Sequence, residues 1–395
     1  MNREDFPMIS KTIYFDNGAT TLKCKNVIES MKRYYTEYTS NIHRGDYEFS
    51  LMTNELYDGT RHIVKSFING KNSKVIFTSG TTESINMIVF GFMKNKLSKG
   101  DIVLLNKSEH ASNILPWFKL KEEIGIEIKF ISLTKTFEVD VNEIINNITD
   151  KVKVISIAQI SNVIGDIRDI KKISDICKKN NIYLCVDGAQ SVPHMKVDFD
   201  ECGMDFLSFS GHKMIGPTGV GCLVVRDELF EEMEPLYLGG GMNLDFYNDG
   251  SYELHSDESK FEAGTPPIAE VIGLREAIIY LEEIGMDKIH EYEVELKKYL
   301  IEKLDNNKRI IMYNKNLDSG ILSFNVDGVF AQDVAIYLSK HNICVRAGNH
   351  CDKLLDEEIG VSNTVRVSLY FYNTKEEIDK LVKVFDNDNI LREVI

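Results

Sequence analysis

Apolar positions along this chain follow two rhythms, and the rhythms alternate. Short runs rich in Val, Ile, Leu and Phe occupy residues 75–78, 101–105, 126–131, 152–158, 182–187, 205–210 and 220–225. Near-continuous apolar runs of that length, bounded by Gly, Ser, Asn or Asp, predict strands buried on both faces. Between them, three- and four-residue spacing predicts helices over 27–38, 51–68, from 141, and over 169–179. In the second of these, Leu56, Ile63, Val64 and Phe67 form the core-facing stripe. Strand and helix taking turns in this way predict an α/β architecture built on a parallel sheet. The character changes after residue 265. Helical patterns over 268–284 and 286–304 precede separated strands at 320–326, 343–346 and 364–369, and a closing helix begins near Thr374. That order predicts a smaller α+β unit. The expected division is a large domain over 16–265 and a small one over 266–395 that also takes in residues 1–15. No repeat, low-complexity tract or Gly/Ser linker interrupts the pattern.

Composition narrows the possibilities. A chain of 395 residues, 43% of them hydrophobic, can bury a large core. The formal charge of −15 argues against nucleic-acid binding, because no basic stretch is concentrated enough to track phosphates. No apolar run is long enough to cross a bilayer, and the first residues lack the apolar core of a signal peptide. The seven cysteines are Cys24, Cys177, Cys185, Cys202, Cys222, Cys344 and Cys351, and none forms a closely spaced metal pair. Cys185 and Cys222 lie in strand patterns and read as core residues. A reduced, cytoplasmic setting is the expectation, and there a single reactive thiol becomes plausible chemistry.

The candidate chemistry centres on Lys213. It follows an apolar strand and opens into a loop rich in Gly and Pro, with Ser210 and His212 beside it. An ammonium is normally left in water. A desolvated lysine has a depressed pKa and acts as an amine nucleophile, including toward an aldehyde cofactor. Upstream, residues 182–191 read as a buried strand whose carboxyl end delivers Asp187 and then Gln190, where open α/β sheets bind ligands. Enzymes that use pyridoxal 5'-phosphate (PLP) need a lysine for the aldehyde and an acid for the ring nitrogen, and Lys213 and Asp187 suit those roles. The strand at 75–78 runs into a small-residue loop and a helix start bearing Thr81 and Thr82, whose free N–H groups suit a phosphate. Taken singly, plain readings stay open: a turn lysine, a capping aspartate, and an ordinary helix cap with Glu83 in its first turn.

Taken together, the motifs carry a resemblance. The Asp-Gly-Ala-Gln of residues 187–190, followed by the Ser-Gly-His-Lys of residues 210–213, resembles the class-V aminotransferase family of fold-type I PLP enzymes. More narrowly, it resembles that family's SufS-like cysteine desulfurases. The likeness runs from residues 14–17 to residues 371–374. It implies a mostly parallel seven-stranded sheet flanked by helices, with PLP bound in the large domain. It implies that Lys213, Asp187, Gln190, His110, Thr81, Thr82, Asn162, Ser210 and His212 hold the cofactor. Thr265 would reach the phosphate of the neighbouring subunit, which implies a homodimer. Lys213, His110 and Cys351 would be catalytic, and Arg366, Asn162, His43 and Arg346 would meet the substrate. No metal is implied. The implied reaction converts L-cysteine to L-alanine and leaves the sulfur on Cys351 as a persulfide. The short connection from Cys351 to Arg366 resembles the branch that hands sulfur to a SufU- or SufE-like acceptor protein, as in iron–sulfur cluster assembly.

This chain departs from the family pattern at three places. Ala111 stands where a second histidine is usual, Asn349 replaces a histidine before Cys351, and residues 239–243 lack the usual acid. Selenocysteine lyase, another class-V lyase or transaminase, and a non-catalytic sulfur carrier or scaffold remain alternatives. Trp117, the single tryptophan, reads as a packing residue.

Overall fold

The computed structural model describes residues 2–43 and 45–386. After a short β1 (Ile13–Tyr14), the large sheet takes β2 (Ser73–Thr78), β3 (Ile102–Asn106), β4 (Glu127–Ile131), β5 (Val152–Ala158), β6 (Tyr183–Asp187), β7 (Phe206–Ser210) and β8 (Gly221–Arg226). Its order is β2-β8-β7-β6-β5-β3-β4. β8 runs antiparallel to both neighbours, and the other pairings are parallel. The expected α/β sheet of seven strands is therefore present.

Alternate residues of these strands enter opposite cores. Val75 and Phe77, Leu104, Leu184 and Val186, Leu207 and Phe209 face one apolar cluster. Ile76, Val103 and Leu105, Cys185, Phe206, Leu223 and Val225 face the other. The strands read as unbroken apolar runs because both faces are covered. Each such side chain contributes about 1.5–3 kcal/mol on burial. Trp117 is fully buried in the second cluster, and Cys185 and Cys222 are buried as expected. The helix Ile268–Ile284 sets Val271, Leu274 and Ile278 into the first cluster, against the helices Lys25–Glu37 and Glu48–Phe67.

Beyond β8, a hairpin of β9 (Asn243–Phe246) and β10 (Tyr252–Leu254) carries exposed Leu244, Phe246 and Tyr252. The second sheet is formed from β11 (Ile310–Met312), β12 (Ile321–Val326), β14 (Arg346–Gly348) and β15 (Thr364–Ser368), in the antiparallel order β11-β12-β15-β14. Its core packs Leu322, Phe324, Val365 and Val367 against Val334, Tyr337, Leu338, Ile378 and Leu381. The helix Lys375–Val384 starts at Thr374, which forms a reciprocal capping box with Glu377.

The run at 343–346 behaves differently from its reading as one strand. It divides at Val345 into β13 (Ile343–Cys344), which pairs in parallel with β1, and β14, which pairs with β15. One apolar run thus serves two partners. β11, the hairpin and the helices Ala331–Lys340 and Lys353–Ile359 are short, so their periodicity spans too few residues to be legible beforehand. Among the described residues no helix is long and apolar enough to cross a membrane, and no group of His, Cys, Asp and Glu is arranged to hold a metal.

Candidate active site

Four strand ends meet on one side of the large sheet. Ala158 ends β5, Asp187 ends β6 and Ser210 ends β7; after β2, the chain turns at Gly80 into the helix Thr81–Ile88. Lys213 closes the single 3-10 turn Gly211–Lys213 that follows β7. Between them lies a cavity of about 360 Å³. Lys213, Asp187, Gln190, His110, Thr81, Thr82, Asn162, Ser210, His212, Arg346, His350, Cys351 and Arg366 all line it.

The corner at Thr81 is built to approach a ligand closely. Gly80 has φ 151°, which side chains rarely adopt, and a Cβ on neighbouring Gly221 would come within 2.5 Å of Gly80 Cα. The Thr81 amide donates to Ser210 Oγ at 2.9 Å, and the Thr81 and Ser210 hydroxyls lie 2.8 Å apart. Thr82 Oγ1 lies 2.8 Å from Ser112 Oγ. Hydroxyls and amides at a helix start make a ready anion site.

Burial sets the electrostatics. It lowers the Lys213 ammonium to about 8; Asp187 opposes the shift, and Arg366 adds to it. Part of this side chain faces the cavity, with protein packed densely around the rest. Burial raises Asp187, against the pull of the Ala189 amide, which donates to its Oδ1 at 2.9 Å, and of Lys213. Burial, Lys213 and Arg366 lower His110 to about 4. The His110 ring is therefore neutral, and its Nδ1 accepts from the Ser112 amide at 3.1 Å, which leaves its proton on Nε2. Burial likewise lowers His212 to about 4. The His212 carbonyl accepts from the Thr21 amide at 3.0 Å and from Lys23 Nζ at 2.8 Å, so residues 20–23 fix the lysine-bearing turn. Gln190 Nε2 donates to the Gly18 carbonyl at 2.8 Å, while its buried Oε1 has no hydrogen-bond partner among the described residues.

The donor set fits PLP. A phosphate finds amides and hydroxyls, an aldehyde finds a depressed amine, and a pyridinium finds a buried carboxyl. His110 and the unbonded Gln190 Oε1 supply further contacts.

The opposite wall is cationic. Arg366 on β15 is buried, donates from Nη1 to the Asn162 carbonyl at 2.7 Å, and leaves Nε without a partner among the described residues. Cys351 is exposed at the edge of the cavity, in a turn where His350 and Cys351 take φ of 53° and 59°. That turn is tied down. The Ala111 amide donates to the Cys351 carbonyl at 2.8 Å, Asn162 Nδ2 donates to the His350 carbonyl at 3.0 Å, and the Cys351 amide donates to Asn349 Oδ1 at 3.2 Å. An exposed thiol, a depressed amine and a buried guanidinium therefore share one cavity. The sequence profile of the family described as aminotransferase class-V matches residues 13–381.

The chain belongs to the class-V aminotransferase family.

Its relatives are consistent with the geometry. A probable cysteine desulfurase of Halalkalibacterium halodurans is 40% identical over 377 residues, covering 95% of this chain and 92% of the relative. The apo structure of a cysteine desulfurase from Thermococcus onnurineus NA1 superposes with a TM-score of 0.94 at 37% identity, covering 97% of this chain and 96% of the other. The cysteine desulfurase CsdA of Escherichia coli, in an S-sulfonic acid form, gives 0.92 at 31% identity over 100% and 98%.

Two expected residues stand apart in this class-V chain. His43 is half-exposed, with its Nε2 3.7 Å from Asp58 Oδ1, and Thr265 Oγ1 lies 3.5 Å from Asn41 Nδ2. Neither lines the Lys213 cavity. Several contacts of the site escaped the sequence reading, although Gly18 stands in the opening segment that the family resemblance places over the site. Asp16 bonds both Arg346 and Arg366. Gly18 lies so near Arg366 that a Cβ there would be 3.1 Å from the guanidinium carbon. Ser112 partners both Thr82 and His110. Asp16 and Gly18 stand within the matched opening segment, but no spacing along the chain ties them to residue 366.

Proposed function

We propose that this protein is a PLP-dependent cysteine desulfurase of the SufS-like branch, which converts L-cysteine to L-alanine and passes the sulfur through Cys351 to an acceptor. The observation that carries the reading is the presence of Lys213, Arg366 and Cys351 on one cavity wall-to-wall. Lys213, Asp187, Gln190, His110, Thr81, Thr82, Asn162, Ser210 and His212 would hold the cofactor. When bound, PLP supplies an aldehyde that captures the substrate amine and a ring that accepts the electron pair of its α-carbon.

The chain's own residues do the rest. Arg366 binds the substrate carboxylate by its guanidinium fork, aided by Asn162 and Arg346. Lys213, neutral in part near pH 8, takes the α-proton and later returns a proton to carbon. Asp187 holds a positive charge opposite it in a buried setting. His110, neutral with its proton on Nε2, orients and excludes water. The Cys351 thiolate attacks the substrate sulfur. An S–S bond forms, the C–S bond breaks with its electron pair going to carbon, and proton uptake gives alanine and a Cys351 persulfide, so no external oxidant is needed.

The working form is a homodimer in the reducing cytoplasm, with Thr265 and His43 serving the partner subunit's site. Support comes from their distance from the Lys213 cavity and from the exposed apolar side chains of the β9–β10 hairpin, which suit an interface. The acceptor is a SufU- or SufE-like protein, because Cys351 sits at an exposed edge on a short connection. The decisive test is Cys351→Ala. It should bind PLP with wild-type absorbance and make no persulfide; persulfide at the wild-type rate would overturn the assignment.

A further inference from the structure

The residue after the reactive thiol is a buried acid whose carboxyl is not hydrogen-bonded by any described residue. Asp352 is 1% exposed, and among the described residues neither side-chain oxygen accepts a hydrogen bond of normal geometry. The Leu355 amide pulls weakly on this carboxyl but donates to the Asp352 main-chain carbonyl, at 3.2 Å. The charged groups facing Asp352 are Glu109 from the loop after β3, Arg168 from the loop after β5, and Asp356 on the adjoining helix Lys353–Ile359.

Arg168 is the one cation of the three, and its donors are taken. Nη1 bonds Glu109 Oε1 at 2.7 Å and the Ala158 carbonyl at 2.8 Å, Nη2 bonds Ser108 Oγ at 2.6 Å, and Nε bonds Asp166 Oδ2 at 3.2 Å. Glu109 is equally satisfied, accepting at Oε2 from Asn113 Nδ2 at 2.7 Å and from the Ala158 amide at 2.8 Å. A second carboxylate beside this closed network has no partner, and a buried polar group without a partner favours whatever state exposes it.

The position of Asp352 gives that tension a direction. It directly follows Cys351, in a turn held to the loop after β3 by the Ala111 amide and by the Lys107–Glu358 ion pair at 2.6 Å. We propose that Asp352 is a positioning residue that works as a proton-controlled latch on the Cys351 turn. With its carboxyl neutral, the turn lies docked and Cys351 faces the cavity; with its carboxyl ionised, the turn swings outward and presents Cys351 to the sulfur acceptor. This deepens the desulfurase reading and rests on it for the identity of the cargo.

The sign follows from linkage. Burial raises the Asp352 carboxyl above its ordinary value in the docked turn, with Glu109 adding to the shift, while in the released turn it titrates as an ordinary aspartate near 4. Docking is therefore firmest below about pH 4 and weakens by up to about tenfold per pH unit above it.

Amide hydrogen exchange on the full-length, PLP-loaded protein tests this without substrate. The Ala111 amide donates to the Cys351 carbonyl, so its protection reports docking. Protection factors, corrected for intrinsic exchange, should fall between pH 5 and 8 in the wild type and stay flat in Asp352→Asn and Asp352→Ala, both of which should be better protected at pH 8. A pH-independent wild type, or an equal fall in either variant, overturns the latch. Alanine formation from cysteine decides the desulfurase reading separately, so the two can fail independently.

Discussion

Arg346 and Arg366 face each other directly across the β14–β15 ladder, and one carboxylate, Asp16, bonds both of them. Arg346 Nη2 donates to Asp16 Oδ2 at 2.6 Å, and Arg366 Nη2 reaches Oδ1 at 3.5 Å. Like charges opposite one another in a sheet repel. Asp16 offsets that repulsion, and Arg366 Nε has no hydrogen-bond partner among the described residues, which leaves it available in the proposed role of gripping a substrate carboxylate. Arg366→Ala should raise KM for L-cysteine about 10- to 100-fold, as expected for a lost charge-assisted pair. Asp16→Asn should raise it less, and steady-state kinetics in the two variants will show the order.

Lys213 is the subject of a second prediction. A group lowered to about 8 is half neutral at that pH, and its neutral fraction rises with pH from below. Uptake of PLP by the apoprotein requires the neutral amine. The uptake rate should climb tenfold per pH unit up to about 8 and then level off, whereas an ordinary lysine would keep climbing past 10. Stopped-flow absorbance across pH 6 to 10 reads this directly, and Lys213→Ala should show no covalent capture at any pH.

His110 makes a contrasting prediction. Burial holds it near 4, so its ring is neutral from pH 5 upward. The acid side of the kcat/KM profile should therefore lack a limb between pH 6 and 7 attributable to this residue. A histidine near 6.5 whose signals titrate there by NMR and vanish in His110→Asn would show the ring to be charged.

Arg168 supports the site from behind. It is buried, and four of its contacts close on Glu109, Asp166, Ser108 and the Ala158 carbonyl. Arg168→Met leaves the Glu109 carboxylate buried without its cation. Such a loss costs about 3–5 kcal/mol, so urea unfolding should move to a much lower midpoint, with His110 and Cys351 losing their common footing.

Much of this was legible beforehand. The strands carrying Asp187 and Ser210 announce themselves as apolar runs, because two-sided burial removes polar residues from them. Lys213 and Cys351 stand in motifs whose neighbours are small or polar, where a reactive side chain can be exposed to a cavity. Asp16 was not legible as the bridge between two arginines, since it meets residues 330 and 350 positions away and nothing local records that contact. The small sheet was harder for the same kind of reason: the run at 343–346 looks like one strand, and its division between β1 and β15 depends on partners far along the chain. Asp352, polar in a loop, looks exposed until the structure shows it sealed.

The parallel pairing of β1 with β13 has a consequence for the order of events at the ribosome. Ile13 and Tyr14 find their backbone partners in Ile343 and Cys344, and Asn17 Nδ2 bonds the Ser368 carbonyl at 2.7 Å. β1 must wait, unpaired, until Ile343 and Cys344 have been translated. The large sheet can assemble during that interval, but the arginine wall is completed only once β14 and β15 have paired. Long-range closure of this kind is slow, so the cavity at Lys213 gains its arginine wall later than its sheet-end residues.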